Sequence, residues 1–257
     1  METLPSPVII AHRGYNRFYP ENTLVSFQAA MQSGAHMIEL DTTLSRDRKP
    51  VVIHDDTLDR TTNGTGRVCD TDLADIKRLD AGSWFAPRFQ GETVPTLAEV
   101  LDRFGNRIWI NIEIKESAFE AADLADGIET QVVSLIRSRK CGRMVLVSSF
   151  YPQILQRIAS LDKTLALGFL TEAQDSETVL QLANNLRPFS WNPDVESVTE
   201  EMVTSMHEHN IRVFPYTVNA VSQAKEMLKM KVDGLFTDDP AMMIKYCSGQ
   251  KQQQTVQ

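Results

Sequence analysis

The chain has 257 residues, 42% apolar and 23% charged, with 26 Lys plus Arg against 34 Asp plus Glu and a formal net charge of −8. That is the balance of a globular chain with a sizeable core, and its acidic excess argues against nucleic acid or an anionic membrane surface as a partner. Cys69, Cys141 and Cys247 are odd in number and far apart, against a disulfide framework or zinc site.

In chain order, short β-branched runs alternate with segments of helical period, the signature of βα units and a parallel sheet. Strands are expected at Val8 to His12, Met37 to Asp41, Ile108 to Ile114, Met144 to Ser148, Thr164 to Phe169, Phe189 to Asn192, Ile211 to Tyr216 and Gly234 to Thr237. Helices are expected near Thr23 to Ser33, Ala118 to Lys140, Pro152 to Ala159, Glu177 to Asn185, Thr199 to Glu208, Ala220 to Met230 and Pro240 to Cys247. The fold class is therefore α/β, a (β/α)8 barrel forming a single domain over residues 1–248. Between Asp41 and Ile108 the repeat is interrupted, first by a hairpin-like Leu44 to His54 and then by the glycine-containing Thr61 to Gly66. We read residues 44–105 as a small inserted subdomain between the second and third barrel strands. Its glycines make no nucleotide cradle, since neither GxGxxG nor a following GKS or GKT is present. Residues 249–257 are too polar to pack and read as a mobile tail. No basic segment followed by an apolar stretch opens the chain, and no run approaches the roughly 18 apolar residues that span a bilayer. A cytoplasmic protein without stable membrane association is the expectation, its oligomeric state open.

The chemistry is signalled on the strands. In Asn111-Ile112-Glu113-Ile114-Lys115 the polar residues share one face. Met37-Ile38-Glu39-Leu40-Asp41 alternates in the same way. Three carboxylates converging at strand ends repel one another unless positive charge sits among them. One divalent cation answers this, and all-oxygen ligation favours Mg²⁺ or Ca²⁺ over zinc. The plainer reading is that Glu113 and Lys115 merely pair with each other. His12 and His54 end apolar runs, where a barrel enzyme keeps its active site, and two imidazoles flanking a bond can serve as general acid and base. His36, His207 and His209 read as surface residues. Arg13 offers a donor fork for phosphate, and pairing with Glu21 is an equally good account of it.

His12-Arg13-Gly14, Pro20-Glu21-Asn22-Thr23, Glu39-Leu40-Asp41, His54-Asp55 with Leu58-Asp59-Arg60-Thr61-Thr62, and Glu113-Ile114-Lys115 together resemble the glycerophosphodiester phosphodiesterase family. Gly82-Ser83-Trp84, Pro95-Thr96-Leu97, Tyr216-Thr217-Val218-Asn219 and Asp233 to Asp238 continue the likeness in order. It is most similar to the short cytoplasmic bacterial members. The resemblance implies a TIM barrel that hydrolyses glycerophosphodiesters to sn-glycerol 3-phosphate and an alcohol, through a cyclic phosphate. It places His12 and His54 on the acid/base pair, Glu39, Asp41 and Glu113 on the metal ligands, and Arg13 and Lys115 near the phosphate. Tyr216 stands where many members have Trp, and Asp239 where an aromatic residue is common. Two other readings use the same residues. One is a lysophospholipase D or phosphosphingolipid phosphodiesterase with Trp84, Phe85, Phe89 and Phe150 lining an apolar groove; the other is a catalytically silent metabolite-binding barrel.

Overall fold

The computed structural model describes residues 4–122, 125–172 and 176–254. Among these, nine strands form one sheet: β1 (Val8–Ala11), β2 (Met37–Leu44), β3 (Pro50–Val52), β4 (Trp109–Ile114), β5 (Val145–Ser149), β6 (Ala166–Thr171), β7 (Ser190–Pro193), β8 (Arg212–Val213) and β9 (Gly234–Thr237). Eight run parallel in the order β9, β1, β2, β4, β5, β6, β7, β8, while β3 pairs antiparallel with the end of β2. Backbone N–H groups of Asp233 and Phe236 donate to the carbonyls of Val213 and Pro215, each at 3.0 Å, across the seam between β9 and the segment of β8. The result is a nearly closed (β/α)8 barrel, and each expected strand lies in it.

The helices are α1 (Leu24–Gln32), α2 (Leu73–Ile76), α3 (Leu97–Phe104), α4 (Ile128–Arg139), α5 (Pro152–Leu161), α6 (Ser176–Leu186), α7 (Glu200–Glu208), α8 (Val221–Lys229) and α9 (Pro240–Gln254). Strand period divides the core into two shells. Ile38, Leu40, Ile110, Ile112 and Ile114 face outward into the layer packed under the helices. Val8, Ile10, Met37, Trp109, Leu146, Ala166, Phe214 and Phe236 fill the N-terminal half of the barrel interior. Above this plug the inward residues turn polar: Asn111, Ser148, Ser190 and Asn192 are all fully buried. A barrel bottom packed with branched and aromatic side chains is the usual foundation for a site at the C-terminal mouth.

Two boundaries differ from the sequence expectation. Helix α4 begins at Ile128, not at Ala118. The carbonyls of Glu120 and Ala121 accept from the Arg157 guanidinium at 2.6 and 2.8 Å, and that of Asp126 accepts from Arg48 Nη2 at 3.3 Å. Acceptors committed to distant side chains are unavailable to a helical ladder. Residues 123–124 of the expected helix lie outside the described residues. The stretch 44–105 also holds a barrel helix at its end: α3 starts with a capping box in which Thr96 and Glu99 exchange hydrogen bonds. The expected hairpin is present, with β2 extended to Leu44 and Thr42 opposite Val52. Helix α9 continues through Gly249, where composition places a tail, and residues 255–257 of that segment lie outside the described residues. Among the described residues no helix is long and apolar enough to cross a membrane.

Leu146→Ala, which opens a void in the fully buried plug, should cost about 2–5 kcal/mol of unfolding free energy. Thr96→Ala, which removes only a cap, should cost about 1 kcal/mol. Equilibrium urea unfolding checks the order.

Candidate active site

Every candidate residue emerges at the C-terminal mouth of the barrel. Glu39 and Asp41 lie on β2 and Glu113 on β4, where Asp41 and Glu113 are register partners. One ligand oxygen from each of the three lies within 4.8 Å of the others, and all three side chains are buried. His12 and Arg13 follow β1 directly. Arg13 and Gly14 take left-handed φ values of 53° and 83°, a turn that aims the Arg13 N–H at Glu39 Oε2, 2.7 Å away. A Cβ on Gly14 would lie 2.3 Å from Ser26 Oγ, so only glycine fits. His54 follows β3. Val52 packs into the layer under the helices and Val51 and Ile53 into the insertion's core, and His54, just past them, lines the cavity at the mouth.

The carboxylates are not alike. Burial, reinforced by Asp41 and Glu113, holds the Glu39 carboxyl well above the usual range. Burial and the Asp41 charge raise Glu113 as well. Burial would also raise Asp41, but Arg13 and Lys115 outweigh it and hold its carboxyl below the usual value. Arg13 Nε lies 3.4 Å and Lys115 Nζ 3.5 Å from Asp41, and Asn22 Nδ2 donates to it at 2.8 Å. Lys115 also donates to Glu113 at 3.0 Å. Two cations among three buried carboxylates leave the cluster short of positive charge, and its donors are hard oxygens. This fits a divalent cation of the Mg²⁺ or Ca²⁺ kind.

Both histidines line the same cavity as Glu39 and Glu113, each engaged through Nδ1. His12 Nδ1 lies 2.8 Å from Asp238 Oδ1, and His54 Nδ1 lies 2.6 Å from Asp55 Oδ1. Burial would raise Asp238, but the bond to His12 and others from Asn16 and Asn219 hold its carboxyl below the usual range. Burial lowers His54, with Arg13 and Lys115 acting in the same direction against Asp41. One cavity of about 1220 Å³ is lined by His12, Arg13, Glu39, His54, Glu113 and Lys115 among others.

The structure thus brings all seven expected residues together. It also answers two alternatives with both halves at once: Glu113 pairs with Lys115 and stays in the cluster, and Arg13 Nη1 binds Glu21 at 3.0 Å while its side chain lines the cavity. His36 is apart, its Nδ1 accepting the Ile9 N–H at 2.9 Å. His207 pairs with Asp233 on the surface. Of the aromatic residues considered for an apolar groove, Phe150 lines the cavity, whereas Trp84 and Phe89 each meet Phe85 edge to face in the insertion. Sequence reasoning missed the carboxylates behind the histidines. Asp55 had a signal in its adjacency to His54, and Asp238 in its place just after a strand end.

The model of the glycerophosphoryl diester phosphodiesterase family matches residues 12–242. A glycerophosphodiester phosphodiesterase of Caldanaerobacter subterraneus subsp. tengcongensis is 38% identical over 92% of this chain and 96% of its own. Another from Bacillus subtilis is 35% identical over 93% and 86%. Among solved structures, an Oleispira antarctica phosphodiesterase in complex with the product sn-glycerol-3-phosphate superposes with a TM-score of 0.84 at 30% identity, covering 95% of this chain and 97% of that one. The chain therefore belongs to the glycerophosphoryl diester phosphodiesterase family. It is an enzyme of the phosphoric diester hydrolases, a glycerophosphodiester phosphodiesterase.

The unequal carboxylates give opposite signs on neutralisation at pH 7 in chelator. Glu39→Gln removes a charge that burial opposes and keeps an acceptor for the Arg13 N–H, so the thermal midpoint should hold or rise. Asp41→Asn removes a charge that two cations favour, so the midpoint should fall. Calorimetry of both variants beside the wild type checks the pair of signs.

Proposed function

We propose that this enzyme hydrolyses glycerophosphodiesters to sn-glycerol 3-phosphate and an alcohol, His12 and His54 moving the protons and Glu39, Asp41 and Glu113 holding one divalent cation, Mg²⁺ or Ca²⁺. The observation that carries the reading is that two carboxylate-backed histidines line one cavity together with Glu39 and Glu113 of a buried three-carboxylate cluster. When bound, the cation supplies Lewis-acid polarisation of a phosphoryl oxygen and of the substrate hydroxyl. Arg13 and Lys115 oppose the negative charge that builds on the phosphoryl oxygens. In each histidine the Asp holds Nδ1, which leaves Nε2 to exchange a proton with substrate. One Nε2 accepts the proton of the glycerol 2-hydroxyl as that oxygen attacks phosphorus. The other donates to the leaving alcohol as its bond to phosphorus breaks. Water then opens the cyclic phosphate with the proton roles reversed. Ser117 and Thr217 line the cavity, and among the described residues neither hydroxyl is hydrogen-bonded to a histidine, which favours a nucleophile carried by the substrate.

Release of sn-glycerol 3-phosphate from glycerophosphocholine, lost with EDTA and regained with Mg²⁺ or Ca²⁺, tests the activity. Faster turnover of lysophosphatidylcholine would favour the lysophospholipase reading, and no turnover of either would leave the silent barrel. His12→Ala and His54→Ala should each lower kcat by roughly a hundredfold to ten-thousandfold with the fold intact. His36→Ala should leave kcat near the wild-type value, since His36 is held outside the cavity. Equal losses for all three would remove the acid/base assignment.

The internal nucleophile has its own test. A 2-deoxy analogue of glycerophosphocholine should bind and turn over very slowly. Hydrolysis at the rate of the natural substrate would mean that water attacks directly.

A further inference from the structure

Arg60 lies in the insertion, its side chain 43% exposed, and it is not among the residues that line the cavity. Its guanidinium nevertheless makes four hydrogen bonds to two carboxylates. Nε and Nη2 donate to Asp55 at 2.6 and 2.9 Å. Nη1 and Nη2 donate to Glu21 at 2.8 Å each. Both carboxylates are shared. Asp55 Oδ1 also engages His54 Nδ1 at 2.6 Å, and Glu21 Oε1 also accepts from Arg13 Nη1 at 3.0 Å. A continuous chain therefore runs His54, Asp55, Arg60, Glu21, Arg13, and both of its ends line the cavity.

We propose that Arg60 is a positioning residue whose single guanidinium locks the proton-transfer side chain His54 and the phosphate-binding side chain Arg13 in register with each other. The inference rests on the functional reading above. The two ends come from different parts of the chain: Arg13 and Glu21 from the loop between β1 and α1, His54 and Asp55 from the segment after β3. Among the described residues, Arg60 is the side chain that grips a carboxylate from each. The grip needs the planar fork, because a doubly bidentate bridge fixes the plane of both carboxylates, and a point charge on a flexible stem does not. With Asp55 held in plane, the His54 ring keeps the orientation that leaves Nε2 toward the cavity. With Glu21 held, the Arg13 fork keeps its aim.

The test compares Arg60→Ala and Arg60→Lys with Arg46→Ala. Arg46 makes an equally bidentate pair with Asp72 that reaches no cavity residue, so its loss should leave turnover of glycerophosphocholine unchanged. Arg60→Ala should lower kcat by about ten- to a hundredfold and also weaken binding of sn-glycerol 3-phosphate measured by calorimetry. Arg60→Lys, which keeps the charge and loses the fork, should remain impaired. In a His54→Ala background the Arg60→Ala effect on kcat should shrink to the part carried through Arg13, while the weakened binding through Arg13 persists in full. A general loss of structure would instead lower both readouts in either background. Wild-type kcat in Arg60→Ala, or full activity in Arg60→Lys, would overturn the proposal. If His54→Ala were itself as active as the wild type, the acid/base reading would fall first, and this inference with it.

Discussion

Three buried carboxylates within 4.8 Å of one another are the constraint around which the rest is arranged. At an effective dielectric of roughly 20, two ionised groups at that separation repel by about 3.5 kcal/mol. Three such pairs rival the whole folding stability of a typical domain, roughly 5–15 kcal/mol. The barrel answers in layers. An apolar plug fixes the strands from below, a polar layer of Asn111, Ser148, Ser190 and Asn192 avoids placing hydrocarbon against charge, and Arg13 and Lys115 enter from the rim. The remaining imbalance is what makes the cluster a receptor for further positive charge, and a stability cost of this kind is characteristic of functional sites.

Each cation at the rim is itself held by more than its carboxylate partner. Arg13 carries the left-handed turn that brings its N–H to Glu39, and its guanidinium is divided between Asp41 and Glu21. Lys115 directly follows β4, so the strand that supplies Glu113 also delivers the amine that faces it. Both histidines follow the same rule, with a carboxylate behind Nδ1. Electrostatic order at the mouth is thus built in pairs, and each pair is anchored to backbone whose course is set by the sheet.

What could be read from the sequence was what strand period makes visible. Glu39, Asp41, Glu113 and Lys115 are legible because a polar residue at every second position of an apolar run has one place to go in a barrel. The partners of the histidines are harder. Asp238 meets His12 across 226 residues of chain, a proximity that follows from closing the barrel between β1 and β9 and from no local pattern. The false start of α4 has the same origin, since the carbonyls of Glu120, Ala121 and Asp126 are claimed by the side chains of Arg157 and Arg48. Helix α3 was hidden for the opposite reason. Its capping box is plain in Thr96 to Glu99, but it directly follows an irregular stretch that masks where the barrel resumes.

The insertion is best understood through β3. The last three residues of β2 pair with it, Thr42 while still paired to Ile114 of β4, and this extension is what carries the chain back over the mouth with His54 at its end. Val51 and Ile53 bury one face in a separate small core with Leu58, Val68, Ile76, Ala81 and Val94, while Val52 joins the barrel's own core. The strand is therefore clamped between two cores, and a slip of one residue would exchange both faces and turn His54 away from the cavity. His12, by contrast, is fixed by the barrel alone, between β1 and the end of β9. The two histidines thus depend on different parts of the molecule. The apolar core of the insertion, which takes in Ile53 beside His54, joins the barrel in setting where the second histidine stands relative to the first.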